Sequence, residues 1–354
     1  MSSTKHGSVG SKARASSNMR KFGLRTVLIA AMASLMATPA MIGSIASAGS
    51  LSPHTVSNPT FVLLQTNGTQ SYFVDEAAGA TAEAKALGAT VTVENESNSD
   101  ATTVSDLQAA IAAGDNGAMV VAPDETTGAR LVSLANAANM PIISVDNGFS
   151  GGSDNLPVPA IGFNAPVAGQ QSGQLLASYF KKSKFKAAST YAAINVIPTL
   201  ATCVVRTNAE IAALKKAGLP ASHILSITYD GTSQAALNNM APVQTAHPQA
   251  KDWLLAGCND DGVYGDAKAL TSHGVSRKNI IGVGLGADLA CTMWAAGAPN
   301  LGIVASDYVN PANIGKAAVL EMYNFVVKGK AFPLQDLIAT VPVTSSNFKK
   351  FIKC

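Results

Sequence analysis

The chain has 354 residues, of which 47% are hydrophobic and 13% charged, so most of it can bury cores and the disordered class is excluded. The formal net charge of +3 is concentrated at the start, where Lys5, Lys12, Arg14, Arg20, Lys21 and Arg25 face no acidic residue. The remaining body is close to neutral, which argues against nucleic acid as a partner.

The basic start runs into VLIAAMASLMATPAMIGSIASAG and ends in Ala46-Ser47-Ala48. That order reads as a secretory signal over residues 1–48, cleaved after Ala48, rather than a retained anchor. Met19 opens a second basic start, MRKFGLR. A short Ser/Pro/Asn linker at 49–59 leads into the body.

From there strand-like and helix-like segments alternate. TFVLLQ precedes FVDEAAGATAEAKALG, then TVTVEN, VSDLQAAIAAG, AMVVAP, ETTGARLVSLANAANM and PIISVD. The Gly/Pro-rich SGGSDNLPVPAIGFN breaks the rhythm and marks a first crossing between domains. The pattern restarts with APVAGQQSGQLLASYFKK and STYAAINV, followed by VVRTNAEIAALKKAG, HILSITY and QAALNNMAPVQTAHP. DWLLAG, GVYGDAKALTSHG, NIIGVGL, LACTMWAAG and LGIVAS complete a second series. The expected fold class is α/β, with two Rossmann-like domains built on parallel sheets.

AMVVAPDETTGARLVSLANAANMPIISVDN and DWLLAGCNDDGVYGDAKALTSHGVSRKNIIGVG share the order strand, polar cluster, helix, strand. The clusters Pro123-Asp124-Glu125 and Asn259-Asp260-Asp261 fall where a strand meets its helix, and open α/β sheets bind ligands at such strand ends. Asp146-Asn147, after PIISV, sets a carboxylate beside a carboxamide, the donor and acceptor mixture that hydroxyls require. Tyr72-Phe73 offers ring faces for an apolar sugar surface.

Other motifs carry less. GFSGG matches G-x-S-x-G, yet Ser150 leads into GGSDNLPVP, which cannot form the helix a nucleophile elbow needs. GVGLGA has the wrong spacing for a dinucleotide fingerprint and reads as a tight turn. His6, His54, His223, His247 and His273 stand singly, without metal-ligand spacing, and no cofactor is implied. Cys203, Cys258, Cys291 and Cys354 allow three full pairings, and spacing selects none.

The order TFVLLQ…QSYF, AMVVAPDETTGARLVSLANAANMPIISVDN and WLLAGCNDDGVYGDAKAL resembles the type I periplasmic sugar-binding proteins of ABC transporters. The likeness spans about residues 60 to 352. After residue 185, where ALKKAGLPASHILSITYDG and NIGKAAVLEMYNFVVKGKAFP fall, it is most similar to the arabinose-binding members. The resemblance implies two lobes joined by a three-segment hinge: residues 60–163 with 309–339, and residues 164–308 with 340–354. It implies a small sugar or polyol as ligand, a membrane permease as partner with a chemoreceptor or sensor kinase as the alternative, a monomeric state, a periplasmic location and no catalysis.

By position it also implies a ligand carboxylate at Asp146, a carboxamide at Asn259, aromatic contacts at Tyr72 and Phe73, and apolar walls at Phe163 and Cys258. Departures from the arabinose-binding pattern are equally specific. A lysine and a glutamate of the first loop fall on Thr66 and Gln70, and the second acid falls on Asn147. An arginine falls on Val204 and an asparagine on Gly286. Gln70 and Asn147 remain candidates, with Asp288 as a replacement for the missing carboxamide. Arg206 is a further candidate, although two positions along a helix from Val204 it is expected to point elsewhere.

Overall fold

The computed structural model describes residues 56–149, 158–297 and 301–354. The signal segment with its cleavage site, residues 49–55 of the linker, Ser150 and the following GGSDNLP therefore lie outside the described residues, as do His6 and His54. In chain order the elements begin with β1 (Thr60–Gln65), α1 (Ser71–Leu87), β2 (Thr90–Asn95), α2 (Asp100–Ala113), β3 (Ala118–Val120), α3 (Gly128–Ala137), β4 (Ile142–Asp146) and β5 (Ala160–Phe163). They continue with α4 (Ala165–Lys182), β6 (Thr190–Val196), α5 (Ala201–Lys216), β7 (Ile224–Thr228), α6 (Ser233–Ala246), β8 (Asp252–Gly257), α7 (Asp260–Ser272) and β9 (Ile280–Gly286). The last are α8 (Asp288–Ala295), β10 (Ile303–Tyr308), α9 (Pro311–Lys328), β11 (Gln335–Ile338) and β12 (Val341–Thr344).

Two six-stranded sheets result, ordered β11-β5-β4-β3-β1-β2 and β12-β10-β9-β8-β6-β7. In each, the first strand of its series lies inside the second, so the order reverses between β1 and β3 and again between β6 and β8. Such a reversal splays the following loops apart and opens a crevice at the carboxyl ends of the strands. All pairings are parallel except β12, which runs antiparallel to β10 with Tyr308 opposite Val341. The expected parallel sheets are present, with β12 as the one antiparallel edge strand among the described residues. A tight connection between β11 and β12 carries the chain from one sheet to the other, and β12 enters the second sheet in reverse.

Each sheet is buried on both faces, which explains the continuous apolar runs. Phe61 and Leu63 face one core while Val62 and Leu64 face another, as the two-residue period of a strand demands. Leu255 and Trp253 likewise oppose Leu254 and Ala256 in the second sheet.

After β5 the chain enters the second sheet, α9 returns it to the first, and β12 belongs to the second again. Both long helices at these passages start alike. Asn164 accepts from the Val167 N–H at 3.1 Å and Asn310 from the Asn313 N–H at 3.1 Å, each with a proline in the first helical positions. α9 packs on α1 with almost no gap: a Cβ at Gly315 would lie 2.0 Å from the Glu76 carbonyl oxygen. Only glycine permits that approach.

Candidate functional site

A cavity of about 120 Å3 lies between the two sheets at the carboxyl ends of their strands. Every candidate named from the sequence lines it: Gln70, Tyr72, Phe73, Asp146, Asn147, Phe163, Arg206, Cys258, Asn259 and Asp288. Residues from the loop before α1, from the ends of β4, β5 and β8, and from the first two turns of α1, α5 and α8 are thus brought together.

Asp146 ends β4 with φ at 59°, a left-handed conformation that an aspartate tolerates better than most side chains. Its Oδ1 accepts from the Tyr72 hydroxyl at 2.7 Å. Burial pushes this carboxyl up to about 6, against the opposing pull of the Tyr72 hydrogen bond and the Arg206 charge. Tyr72 itself sits in the first turn of α1 with its ring edge-on to Phe73, centroids 5.2 Å apart.

Three contacts cross the cavity. Gln70 Nε2 donates to the Gly231 carbonyl oxygen at 3.2 Å, so the residue that starts α1 makes no capping bond there and reaches to the opposite sheet instead. Thr202 Oγ1 donates to Asn147 Oδ1. The Thr202 backbone N–H points at Glu125 Oε1, 3.4 Å away.

Arg206 corrects the expectation that it would point elsewhere. Helix α5 starts at Ala201, and Thr202, Arg206 and Glu210 follow at intervals of four on the inward face. Arg206 is 5% exposed, lies 5.0 Å over the Phe163 ring and donates through Nη2 to the Cys258 carbonyl oxygen at 3.1 Å. Among the described residues its Nε and Nη1 are buried without a hydrogen-bond partner. Burial lowers the guanidinium pKa, while Glu210, Tyr229, Tyr72 and Asp146 pull it back up. Glu210 receives a bond from Ser172 Oγ at 2.8 Å, and its burial raises its carboxyl to about 8 despite Arg206.

Asn259 has a second duty. Its Oδ1 accepts from the Gly262 N–H at 2.9 Å, which caps α7, and from the Tyr229 hydroxyl at 2.7 Å. Its Nδ2 donates to the Gly231 carbonyl at 2.8 Å. Asp260, next in sequence, turns away into the second sheet, where Ser306 Oγ at 2.6 Å and the Ala290 N–H at 2.9 Å hold it. Cys258 is bonded to Cys203 in a disulfide, and Cys291 to Cys354 in another, which resolves the pairing.

Asp288 opens α8 directly after Gly286 and Ala287, both at positive φ, and is 9% exposed. Burial first, then the neighbouring Asp260 and Asp75, push it up to about 8. The GVGLGA segment is therefore strand β9 and its turn. Thr66 lines the cavity but spends its hydroxyl on the Val121 carbonyl at 2.7 Å, and Val204 is not among the lining residues.

Thr202, Tyr229 and Gly231 escaped the sequence reading. The four-residue spacing of Thr202, Arg206 and Glu210 is a usable signal for the first, because it sets three polar groups on one helix face. Among the described residues no cluster of three or more His, Cys, Asp or Glu is arranged to hold a metal. Among the same residues no helix is long and apolar enough to cross a membrane.

Two doubly wound sheets with a polar cavity between their strand ends define a two-domain α/β binding protein of the type I class. Residues 61–331 match the periplasmic binding protein domain, and the chain belongs to that family. It is 28% identical over 253 residues to the L-arabinose-binding periplasmic protein of Escherichia coli (strain K12), covering 70% of this chain and 76% of the relative. Among solved structures, the Caulobacter myo-inositol binding protein bound to myo-inositol superposes with a TM-score of 0.71 at 22% identity, covering 85% of this chain and 97% of that one. The arabinose ABC transporter component from Shewanella sp. ANA-3, bound to α- and β-L-arabinofuranose, gives a TM-score of 0.70 at 17% identity, covering 82% and 93%. The last two likenesses speak for the fold.

Proposed function

We propose that this chain is a periplasmic receptor that encloses one monosaccharide or polyol and presents it to the permease of an ABC transporter. The observation that carries the reading is the Tyr72–Asp146 pair in a cavity crossed by Gln70 and Asn147: carboxylate, carboxamide and aromatic groups from both sheets face one small space. Hydroxyls both give and accept hydrogen bonds, and their ring carbons present apolar faces, so this mixture suits a polyol better than an apolar or purely ionic solute. The arabinose-binding name of the Escherichia coli relative and the sugars bound in the two structures support the same ligand class.

In this reading Asp146, Asn147, Gln70, Asn259, Arg206 and Asp288 bond the hydroxyls, while Tyr72, Phe73, Phe163 and Cys258 cover the carbon faces. The lobes are residues 60–163 with 309–339 and residues 164–308 with 340–354, hinged where the chain passes between the sheets. Closure traps the solute by joining loops across the cavity, as the Gln70–Gly231 contact does. The protein acts as a monomer, makes and breaks no covalent bond in its ligand, and reaches the periplasm after cleavage behind Ala48.

A thermal-shift panel of L-arabinose, D-galactose, D-allose and myo-inositol tests this on a chain beginning at Gly49. One solute at 100 times its Kd raises stability by about 2.7 kcal/mol, a shift of a few degrees. No shift with any sugar or polyol, against a clear shift with an amino acid or a nucleoside, would overturn the ligand class.

A further inference from the structure

The disulfide between Cys203 and Cys258 joins the first turn of α5 to the residue that follows β8, and both cysteines are buried. Within its own lobe the start of α5 has little else to fix it, because the Thr202 bonds to Glu125 and Asn147 run across the cavity. Leu200 occupies the capping position and supplies no side-chain bond to the free N–H groups of the first turn. The loop before it leans on the disulfide itself, since the Ile197 N–H lies 3.1 Å from Cys203 Sγ and 3.3 Å from Cys258 Sγ.

One turn beyond Cys203, Arg206 sends Nη2 to the carbonyl oxygen of Cys258, 3.1 Å away. Cys258 is therefore both the covalent anchor of α5 and the acceptor that aims the guanidinium over Phe163. That is the guanidinium's one hydrogen bond among the described residues, where Nε and Nη1 are buried without a hydrogen-bond partner. A long cationic side chain held by one hydrogen bond keeps its place only if the backbone beneath it cannot roll outward. The other disulfide, Cys291–Cys354, ties the C-terminus to α8, and Cys291 packs in a cluster with Val343 and Phe348 that holds no residue of α5.

We propose that Cys203 and Cys258 are positioning residues: their disulfide locks the first turn of α5 to the end of β8 and thereby sets where Arg206 enters the cavity. Cleaving it frees Arg206 to leave the cavity and weakens solute binding while both sheets stay folded. The effect on binding rests on the solute-receptor reading; the placement of Arg206 does not.

The experiment compares the native chain with Cys203→Ala/Cys258→Ala and with Cys291→Ala/Cys354→Ala, each checked for native circular dichroism. Without ligand, hydrogen exchange at Arg206 Nε is followed by nitrogen-15 NMR, the resonance being identified by its loss in Arg206→Lys. Exchange is expected to be slow in the native chain and in Cys291→Ala/Cys354→Ala, and about tenfold or more faster in Cys203→Ala/Cys258→Ala. With L-arabinose, D-galactose, D-allose and myo-inositol as probes, Cys203→Ala/Cys258→Ala is expected to raise the Kd of whichever binds by about tenfold. Adding Arg206→Met to it should then cost no more than Arg206→Met alone, because the two changes remove one interaction. Unchanged Arg206 exchange, or losses that simply multiply, would overturn the proposal. Should none of the four probes bind, the receptor reading fails, and the exchange measurement alone decides the positioning claim. Should Cys203→Ala/Cys258→Ala not fold, the native chain treated with a phosphine reductant is measured in its place.

Discussion

Replacing Tyr72 by phenylalanine removes one hydroxyl and keeps the ring, so the contact with Phe73 survives and the loss is confined to the 2.7 Å bond to Asp146. The cost depends on the charge of Asp146, whose carboxyl burial lifts from 3.8 to about 6. Above that range the phenol donates to a carboxylate, a bond worth about 1.5–3 kcal/mol; below it, to a neutral acid, about 0.5–1.5 kcal/mol. Tyr72→Phe should therefore destabilise the ligand-free chain by about 2 kcal/mol at pH 8 and about 1 kcal/mol at pH 5.

The same difference must appear as a titration. Because the folded pKa lies above the unfolded one, stability from this group is full below 3.8 and lost as pH rises through about 6. Losing the Tyr72 bond leaves only Arg206 to oppose burial, so the midpoint moves up by about one pH unit for each 1.4 kcal/mol removed. Urea unfolding at both pH values, with carbon-13 NMR of the Asp146 carboxyl, measures both effects. A destabilisation equal at the two pH values, or a midpoint that falls, would refute the reasoning.

Gly315→Ala gains about 1 kcal/mol of helix propensity but forces a methyl to within 2.0 Å of the Glu76 carbonyl, so the net change should be a loss of about 1–3 kcal/mol in urea unfolding. Glu210 and Asp288 are raised to about 8 and Asp260 and Asp307 to about 7, so the fold holds protons that the unfolded chain has released. Ligand-free Tm should accordingly fall between pH 6 and pH 8.5, and a Tm that rises over that range would contradict these assignments. Thr202→Val removes the donor to Asn147 across the cavity and should cost about 0.5–1.5 kcal/mol of stability in the same unfolding assay.

Much of the architecture was legible because strands buried on both faces read as unbroken apolar runs and helices carry a separate period. The strands that escaped are short and irregular. AIGF follows the Gly/Pro-rich stretch, QDLI alternates without a large buried residue, and VPVT contains Pro342, which a strand accepts only where no ladder N–H is needed. As the edge strand beside β10, β12 meets that condition. At the site, strand ends gave away Asp146 and Asn259, since polar groups that close an apolar run must lie at the sheet edge. The aim of Arg206 was not legible from its distance to Val204, because the inward face of α5 is fixed by tertiary packing on α4 and by the Cys203–Cys258 bond. Nor could spacing reveal that Asn259 spends its oxygen on capping α7, or that Gln70 reaches Gly231 across the cavity.

The central claim is that the cavity between the sheets is the solute site, and calorimetric titration of the native chain beside Asp146→Ala tests it most directly. The ligand is the sugar or polyol that gives the largest thermal shift. The native chain should bind one equivalent saturably, and Asp146→Ala, which strips an acceptor from the cavity while leaving both cores intact, should bind at least about tenfold more weakly. Equal affinity in the two proteins would place the solute elsewhere and contradict the account.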